Sequence, residues 1–260
     1  MTDDANNEEE NLAEGTLLSH LVELRGRLLK TAAAVVVVFI ALLPFSPRIF
    51  SMVSKPLREF LPGNQMIATE VASPLLTPFK LTFFVALFIA MPVVLYQIWA
   101  FVAPGLYRKE KRFAFPLLAT SIVLFYLGVA FAYYVVFPLM FGFFTSVAPE
   151  GVEVMTDISH FLSFITLIVL AFGIAFEVPV ATVLLVWTGL TNVEKLSKAR
   201  PYVFLMAFIV GMFLTPPDVI SQTLLAVPVY LLYECGIVMS RIFSKKSEEA
   251  EDETVSVDSP

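Results

Sequence analysis

Long apolar segments alternate with short polar ones along this 260-residue chain, and the alternation predicts six membrane-spanning helices. The hydrocarbon core of a bilayer is about 30 Å thick, which a helix of about 20 apolar residues can cross. The first apolar segment, Thr31–Pro47, contains no formal charge, and a short amphipathic segment leads into it. The predicted spans cover about 25–46, 76–102, 116–138, 160–188, 202–214 and 219–233.

Four of the six apolar segments have unusual lengths. The uncharged segment 113–149 is too long for one span, so we expect the third helix to end at Pro138 and an outer segment to follow it. The fourth span is long for a bilayer, which favours a tilted or protruding helix. The last two spans are short, and the thirteen residues of Tyr202–Leu214 cover only about 20 Å as a helix. Their hairpin therefore stops part-way through the membrane, or the membrane thins around it.

The composition agrees with a polytopic membrane protein. Hydrophobic residues make up 58% of the chain and the mean hydropathy is +0.81, which excludes a water-soluble domain of this size. Residues 1–15 and 244–260 carry six acidic residues each, and we expect both segments to be acidic, disordered tails. Residues 16–243 then form one six-span membrane domain. The acidic N-terminus lacks the basic region of a signal peptide, so the first span is expected to stay as an anchor.

The distribution of basic residues predicts the orientation of the chain. Thirteen Lys and Arg residues lie on the side that holds both termini and the 104–112 and 189–200 loops, against three on the other side. Because basic loops are retained in the cytoplasm, we expect both termini and these two loops to be cytoplasmic.

Two acidic residues lie at the predicted cytoplasmic surface among basic residues. Glu23 precedes Arg27 by four residues, the favourable order for an ion pair on one helix face, so the simpler interpretation is that it only pairs with Arg27. Glu110 is the only acid among four bases in its loop, and it either tempers their repulsion or binds a ligand. Because guanidinium groups bind carboxylates with two parallel hydrogen bonds, an arginine-containing ligand suits such a surface.

Glu177 is an acidic residue near the middle of the fourth span. Insertion scales assign about 2.5–3.5 kcal/mol to a charged residue at that depth, and no basic residue lies at a matching depth in another span. One interpretation is a neutral carboxyl group that is hydrogen-bonded inside the bundle as a packing detail. The other is a carboxyl group that faces a polar concavity. Pro179 frees a backbone carbonyl in the preceding turn and favours a bend there.

Motifs of common enzymes and metal sites are missing from the sequence. There is no glycine-rich phosphate loop, no His-Glu-x-x-His and no Gly-x-Ser-x-Gly, and the single cysteine excludes an internal disulfide. His20 and His160 lie near opposite membrane surfaces and cannot share a metal. We therefore expect neither enzymatic activity nor a cofactor. A proton-coupled secondary transporter that uses Glu177 stays open as an alternative, although no internal repeat supports it.

Several segments in order resemble TatC, the receptor subunit of the twin-arginine protein translocase. They are Ser19–Arg25, Met66–Pro74, Gln97–Glu110, Phe176–Pro179, Arg200–Tyr202 and Leu214–Asp218. The resemblance covers about 16–243. It implies an all-α, glove-shaped protein of six transmembrane helices in the inner membrane. The family binds twin-arginine signal peptides and assembles the single-span subunits TatA and TatB to move folded proteins with the proton-motive force. It also implies self-association in the receptor complex, contact with lipid, and no nucleic acid.

The resemblance also implies roles for individual residues of this chain. Signal-peptide binding would fall to Glu23, Arg25, Phe101 and Glu110, and Glu177 would be the polar group of the concave face. Positions needed for transport would be Pro56 and Asp218, and partner helices would dock at Met212, Thr215 and Gln222.

Overall fold

The computed structural model describes the backbone of residues 2–58, 66–102, 111–147, 155–215 and 218–257, and the side chains of most residues from 21 to 242. In chain order, its elements are α1 (Thr2–Leu42), a 3-10 turn (Leu43–Phe45), α2 (Ser46–Arg58), β1 (Met66–Ile67), α3 (Ser73–Val102), α4 (Lys111–Phe131), a π-helical turn (Ala132–Val136), α5 (Phe137–Ser146), β2 (Thr156–Asp157), α6 (Ile158–Ala175), α7 (Val178–Trp187), α8 (Val193–Leu214) and α9 (Val219–Val257).

Six helical stretches in this described part are long and apolar enough to cross a membrane, which confirms the predicted fold class. They are Leu21–Lys55, Ser73–Phe101, Phe115–Ser146, Ile158–Trp187, Val193–Leu214 and Val219–Ile242. The first four have 29 to 35 residues and the last two have 22 and 24, so the last two spans are the shorter ones, as predicted. An even number of crossings places both chain ends on the same side of the membrane. We call this the terminal side, and we call the opposite side the outer side.

The third span does not end at Pro138, and that prediction is wrong. The helix passes through the proline and continues to Ser146, because the π-helical turn Ala132–Val136 precedes it. In this turn the Phe137 N–H donates to the Ala132 carbonyl, five residues back. Pro138 thus falls in the first turn of α5, where a missing N–H removes no α-helical hydrogen bond.

The fourth span is broken where its acidic residue lies. Helix α6 ends at Ala175 and α7 begins at Val178, so Phe176 and Glu177 form the junction. Pro179 occupies the first turn of α7, directly after this junction. The bend that the sequence predicts there stays a prediction.

Helix α8 begins earlier than predicted. The sequence predicts a basic loop over 189–200, but residues 193–200 form the first two turns of α8. The side chain of Asn192 caps this helix by accepting a hydrogen bond from the Lys195 N–H at 2.8 Å, and Glu194 follows in the first turn, where a negative charge is favourable. The depth of the α8–α9 hairpin in the membrane stays a prediction.

The two acidic ends are helical in the structure, where the sequence predicts disorder. Helix α1 extends back to Thr2 and α9 forward to Val257. Each segment contains four Glu residues, which have high intrinsic helix propensity and extend a helix that is already anchored. The division of the chain into two tails and a membrane domain stays a prediction.

The main core lies between the third and fourth spans. Its buried side chains include Val136, Phe137, Met140, Phe161, Ile165, Ile168 and Phe172. Two glycines allow the close approach of these helices: a Cβ on Gly128 would lie 2.5 Å from the Phe172 carbonyl oxygen, and one on Gly173 would lie 2.6 Å from the Phe125 ring. Small residues at such contacts are typical of membrane helix pairs.

On the outer side, a polar cluster joins the segments before the second and fourth spans. Strands β1 and β2 pair in parallel, with Ile67 opposite Asp157. The Thr69 N–H and hydroxyl donate to Asp157 Oδ2 at 2.9 and 2.7 Å, while Asp157 Oδ1 accepts from the N–H groups of Ser159 and His160 and caps α6. The Ser73 hydroxyl lies 2.7 Å from the Ser159 hydroxyl. We call Thr69, Ser73, Asp157 and Ser159 the outer clasp.

We predict that the outer clasp stabilises the fold through the ionised Asp157. Hydrogen bonds to Asp157, above all those from Thr69, hold the pKa of this carboxyl group well below its usual range. Burial acts in the opposite direction but has the smaller effect. Its contribution is therefore fully present above the unfolded-state pKa of about 3.9 and declines as the pH falls further. Asp157→Asn should lower the unfolding temperature in detergent by several degrees at pH 7, and by less at pH 3.

The matched control is Glu70→Gln, which removes a charge from the same outer segment. Glu70 accepts only a 3.3 Å hydrogen bond from Ser73, so its replacement should change the unfolding temperature little at either pH. Equal unfolding temperatures for Asp157→Asn and the unmodified protein at pH 7 would contradict the assignment.

Candidate functional site

Glu23 lies on α1 at the terminal side and pairs with Arg27, as the simpler interpretation of the sequence predicts. Arg27 Nη2 and Nε donate to Glu23 Oε1 at 2.6 and 3.1 Å. The Glu23 side chain is 36% exposed, and the Arg27 side chain 22%. A partly exposed pair with this helical spacing contributes only about 0.3–0.5 kcal/mol. The guanidinium group of a ligand can therefore replace Arg27 at small cost.

The other predicted peptide-binding residues are only partly described. Arg25 is exposed on α1, and Phe101 is half-buried at the end of α3, which packs against α1. The structure thus brings Glu23, Arg25 and Phe101 to the same side of the bundle on two packed helices. Glu110 lies outside the described residues, so its distance from Glu23 is not defined here.

Glu177 lies at the junction of α6 and α7, about 15 Å from the terminal end of its span at 1.5 Å per residue. Its side chain is half-buried and makes no capping hydrogen bond to α7. Oε1 is buried and has no hydrogen-bond partner among the described residues. Such an atom is costly in a bilayer, which agrees with a site rather than a satisfied packing contact.

A buried hydrogen bond joins the second and third spans. Trp99, near the end of α3, donates its indole Nε1–H to Ser121 Oγ at 3.1 Å. Ser121 is fully buried and Trp99 is 7% exposed, so this interaction is closed off from solvent. It is one of the contacts through which α3 and α4 pack together.

The sequence did not predict this contact. Trp99 stood out only as one of several aromatic residues near the 104–112 loop, and Ser121 is a single hydroxyl in an apolar segment. A serine of this kind usually donates to its own helix backbone, so the sequence carried no signal for a contact between helices.

The remaining predicted residues lie mostly on the α8–α9 hairpin. Asp218 caps α9 by accepting the Ser221 N–H at 2.7 Å, and its Oδ2 is buried and unpaired within the described chain. Thr215 is buried and donates to the Gly211 carbonyl, whereas Met212 is 51% exposed and Gln222 is half-buried.

Pro56 lies apart from the hairpin, near the end of α2 on the outer side, and only its backbone is described. The structure therefore does not bring Pro56 and Asp218 together with the terminal-side residues.

An ion pair that the sequence did not predict joins α8 to α9. Arg200 Nη2 donates to Glu234 Oε2 at 2.8 Å, and its Nε lies 2.7 Å from Oε1. The Tyr230 hydroxyl donates to the same carboxylate at 2.8 Å, and the Tyr233 hydroxyl donates to the Leu196 carbonyl. Arg200 and Glu234 belong to different helices, so only the fold reveals their contact. This pair holds the terminal-side end of the hairpin together.

A cavity of about 460 Å³ opens between the fourth span and the α8–α9 hairpin. Its lining is apolar, and includes Leu167, Ala171, Ile174, Val203, Met206, Val210, Leu225 and Val229. A cavity without polar groups is unsuited to a small polar solute, which weighs against the transporter alternative. Within the described ranges, no group of three or more His, Cys, Asp or Glu residues is placed to hold a metal ion.

Comparison with known proteins gives consistent matches. Residues 19–228 match the family model described as TatC, Sec-independent protein translocase protein. The Sec-independent protein translocase protein TatC of Azotobacter chroococcum mcd 1 is 58% identical over 235 residues, which cover 90% of this chain and 92% of the relative. The protein of the same name from Escherichia coli strain K12 is 56% identical over 237 residues, which cover 91% and 92%.

A solved structure also matches. It is described as the crystal structure of the twin arginine translocase receptor TatC, and it superposes with a TM-score of 0.77 at 36% identity. The match covers 86% of this chain and 98% of the solved chain. It confirms the fold class predicted from the sequence.

Proposed function

Because the chain belongs to the TatC family of Sec-independent protein translocase proteins, we propose that it is the receptor and core subunit that binds twin-arginine signal peptides. Membership makes it a multi-pass membrane protein with a role in transport. The observation that carries the finer proposal is that the family match spans both acidic candidates, Glu23 and Glu110.

The peptide-binding proposal rests on the geometry of two neighbouring arginines. Side by side on an extended peptide, they point in different directions, so one carboxylate cannot hold both well. Glu23 and Glu110 are far apart in sequence, and two separate carboxylates can each take one guanidinium group. Glu23 is partly exposed, and among the described residues its side chain pairs with Arg27, which a peptide arginine can displace. Arg25 and Phe101 would flank the peptide.

The assembly part of the proposal concerns the α8–α9 hairpin. TatA-like and TatB-like single-span subunits would dock at Met212, Thr215 and Gln222, and the exposed Met212 suits contact with an apolar helix. Pro56 and Asp218 would support transport, Asp218 through the start of α9 that it caps. The chain would self-associate in the receptor complex and reside in the inner membrane, with the terminal side in the cytoplasm.

We predict that either acid, when removed, weakens peptide binding by roughly ten- to hundredfold, since a charge-assisted pair contributes about 1–3 kcal/mol. Glu23→Ala and Glu110→Ala should therefore bind a twin-arginine peptide less tightly in native membranes, at unchanged protein levels. The loss should be smaller with a twin-lysine peptide, because lysine lacks the two parallel hydrogen bonds. The measurement is a double-mutant cycle between each acid and the peptide arginines.

Glu194→Ala is the matched control for this cycle, since Glu194 is an exposed acid in the first turn of α8 on the same side. It should leave peptide affinity unchanged. Additive effects at both Glu23 and Glu110 would mean that neither acid touches the arginines, and Glu23 would then serve only as the partner of Arg27.

For the intramembrane carboxyl group, we predict a larger effect on transport than on folding. Glu177→Gln keeps a polar, hydrogen-bonding side chain and should assemble normally. Glu177→Leu removes the polar group and should reduce transport by about tenfold while membrane insertion is retained, a loss of the size expected for one buried polar interaction. The measurement compares the transported fraction of a folded cargo with the amount of chain in the membrane.

Ile174→Leu, one turn earlier on an exposed position, controls for a leucine in this part of the span. Normal transport by Glu177→Leu would leave only a packing role for Glu177.

A further inference from the structure

The fourth span and the α8–α9 hairpin pack loosely against each other. Helices α8 and α9 pack along each other and α9 packs along α7, whereas α6 makes only few contacts with either helix of the hairpin. The close packing of α9 on α7 depends on Gly236, where a Cβ would overlap Thr182 Oγ1. The space that remains between α6 and the hairpin is the apolar cavity of about 460 Å³.

This cavity lies at the depth of the membrane interior. Along the fourth span, its lining extends from Leu167 to Val178 and is centred between the ends of the span at Ile158 and Trp187. At 1.5 Å per residue this length is about 16 Å, close to the thickness of one leaflet, because the whole hydrocarbon core is about 30 Å thick. Lipid tails rather than water therefore surround the cavity.

A space of this size and chemistry neither stays empty nor holds water. An empty cavity destabilises a fold in proportion to its volume, and this one is about three times as large as a cavity that binds one benzene molecule. All its lining side chains are apolar, whereas a buried water needs several polar partners. By proportion with benzene, the cavity accommodates about 18 carbon atoms, the size of one acyl chain. A helix, about 10 Å in diameter, needs a much larger space.

The two ends of the cavity differ, and the difference indicates where an acyl chain enters. At the outer end, Leu214 and Leu225 pack into the main core and close the cavity. At the terminal end, the lining on α8 begins with Val203, and Arg200 lies one helical turn earlier on the same face. A phospholipid with its headgroup beside Arg200 thus places an acyl chain along the cavity.

The charges at the terminal end suit a phosphate group. Arg200 contacts Glu234 through Nε and Nη2, which leaves its Nη1 donors for a second anionic partner, and its side chain is 42% exposed. Other exposed bases lie in the first turns of α8 and near the terminal-side end of α9: Lys195, Lys198 and Arg241. Among the described residues of this region, these bases and Arg200 outnumber the two acids, Glu194 and Glu234. Arginine is a preferred partner of phosphate oxygens.

We propose that the cavity binds one acyl chain of a membrane phospholipid, whose phosphate group contacts Arg200. The acyl chain fills the space between α6 and the hairpin and so completes the packing of these helices. The inference goes beyond the proposed function, because it requires neither a signal peptide nor a partner subunit. It gives Arg200 a contact with lipid in addition to its ion pair with Glu234.

The first test measures the phospholipid that stays with the full chain after purification from native membranes in a mild detergent. Native mass spectrometry of the unmodified chain should show one tightly retained phospholipid. Val210→Trp and Ala171→Phe place an aromatic ring in the cavity from the α8 side and the α6 side. Each should lower the retained fraction at least about tenfold, since lost contact with two methylene groups already corresponds to that factor. Phe213→Trp, at an exposed position of α8 outside the cavity, is the matched control and should retain the lipid.

Two further variants separate the phosphate contact from the ion pair. Arg200→Gln and Glu234→Gln both break the pair between α8 and α9, but only Arg200→Gln removes the donor to phosphate. Arg200→Gln should therefore lower lipid retention severalfold, whereas Glu234→Gln should leave it unchanged or raise it. Equal losses in the two variants would overturn the assignment of the phosphate group to Arg200.

A photoreactive lipid tests the position of the acyl chain. The full chain is placed in vesicles of phosphatidylethanolamine and a phosphatidylglycerol that carries a diazirine in the middle of one acyl chain. Label should appear on Ala207, which lines the cavity and is only 5% exposed, and on Val123, which is 65% exposed on α4. Val210→Trp should remove the label from Ala207 and leave the label on Val123.

Three results would overturn the inference: retention that neither cavity-filling variant lowers, label on Val123 without label on Ala207, or crosslinking of a photoreactive residue at position 206 to a single-span subunit instead of a phospholipid. The third result would mean that a partner helix occupies the cavity. If Val210→Trp does not fold, Ala171→Phe and the label on the unmodified chain still decide.

Discussion

A bilayer offers no water to satisfy polar groups, and this constraint explains where the chain departs from continuous helices. Every backbone or side-chain group left free inside a span must find a partner within the protein. The π-helical turn before Pro138 meets this requirement within the third span by adjusting the hydrogen-bond pattern ahead of the proline. The break in the fourth span meets it only in part, because one Glu177 oxygen has no described partner. That incomplete pairing supports the hypothesis that Glu177 has a functional role.

The same constraint separates the two parts of the proposed receptor. At the terminal side, water and neighbouring charges make the Glu23–Arg27 pair inexpensive to exchange, which suits a site that binds and releases peptides. In the middle of the bundle, breaking a polar contact leaves an unpaired group in an apolar medium, which costs much free energy. This cost suits a site that has a few defined conformations. The outer clasp and the Arg200–Glu234 pair hold the opposite ends of the bundle.

The sequence was sufficient for the number of spans, because apolar length and basic loops are properties of single segments. It also singled out the position of Glu177, where α6 ends and α7 begins, since a proline and an acid in one span are both unusual. The predicted end of the third span was wrong because proline is tolerated after a π-helical turn. No local sequence pattern indicated that turn. The predicted start of α8 was wrong because basic residues indicate a side of the membrane but do not exclude a helix. Ser121 and Glu234 were missed because their partners lie on other helices.

We propose that this chain itself recognises the arginine pair of a signal peptide on its terminal side. The decisive measurement uses a peptide with a photoreactive residue beside its two arginines, added to membranes that hold this chain without other subunits or an ion gradient. We expect attachment next to Glu23 and within the 104–112 loop, and loss of both when the arginines are replaced by lysines. Attachment at the outer clasp, or an unchanged pattern with the lysine peptide, would contradict it.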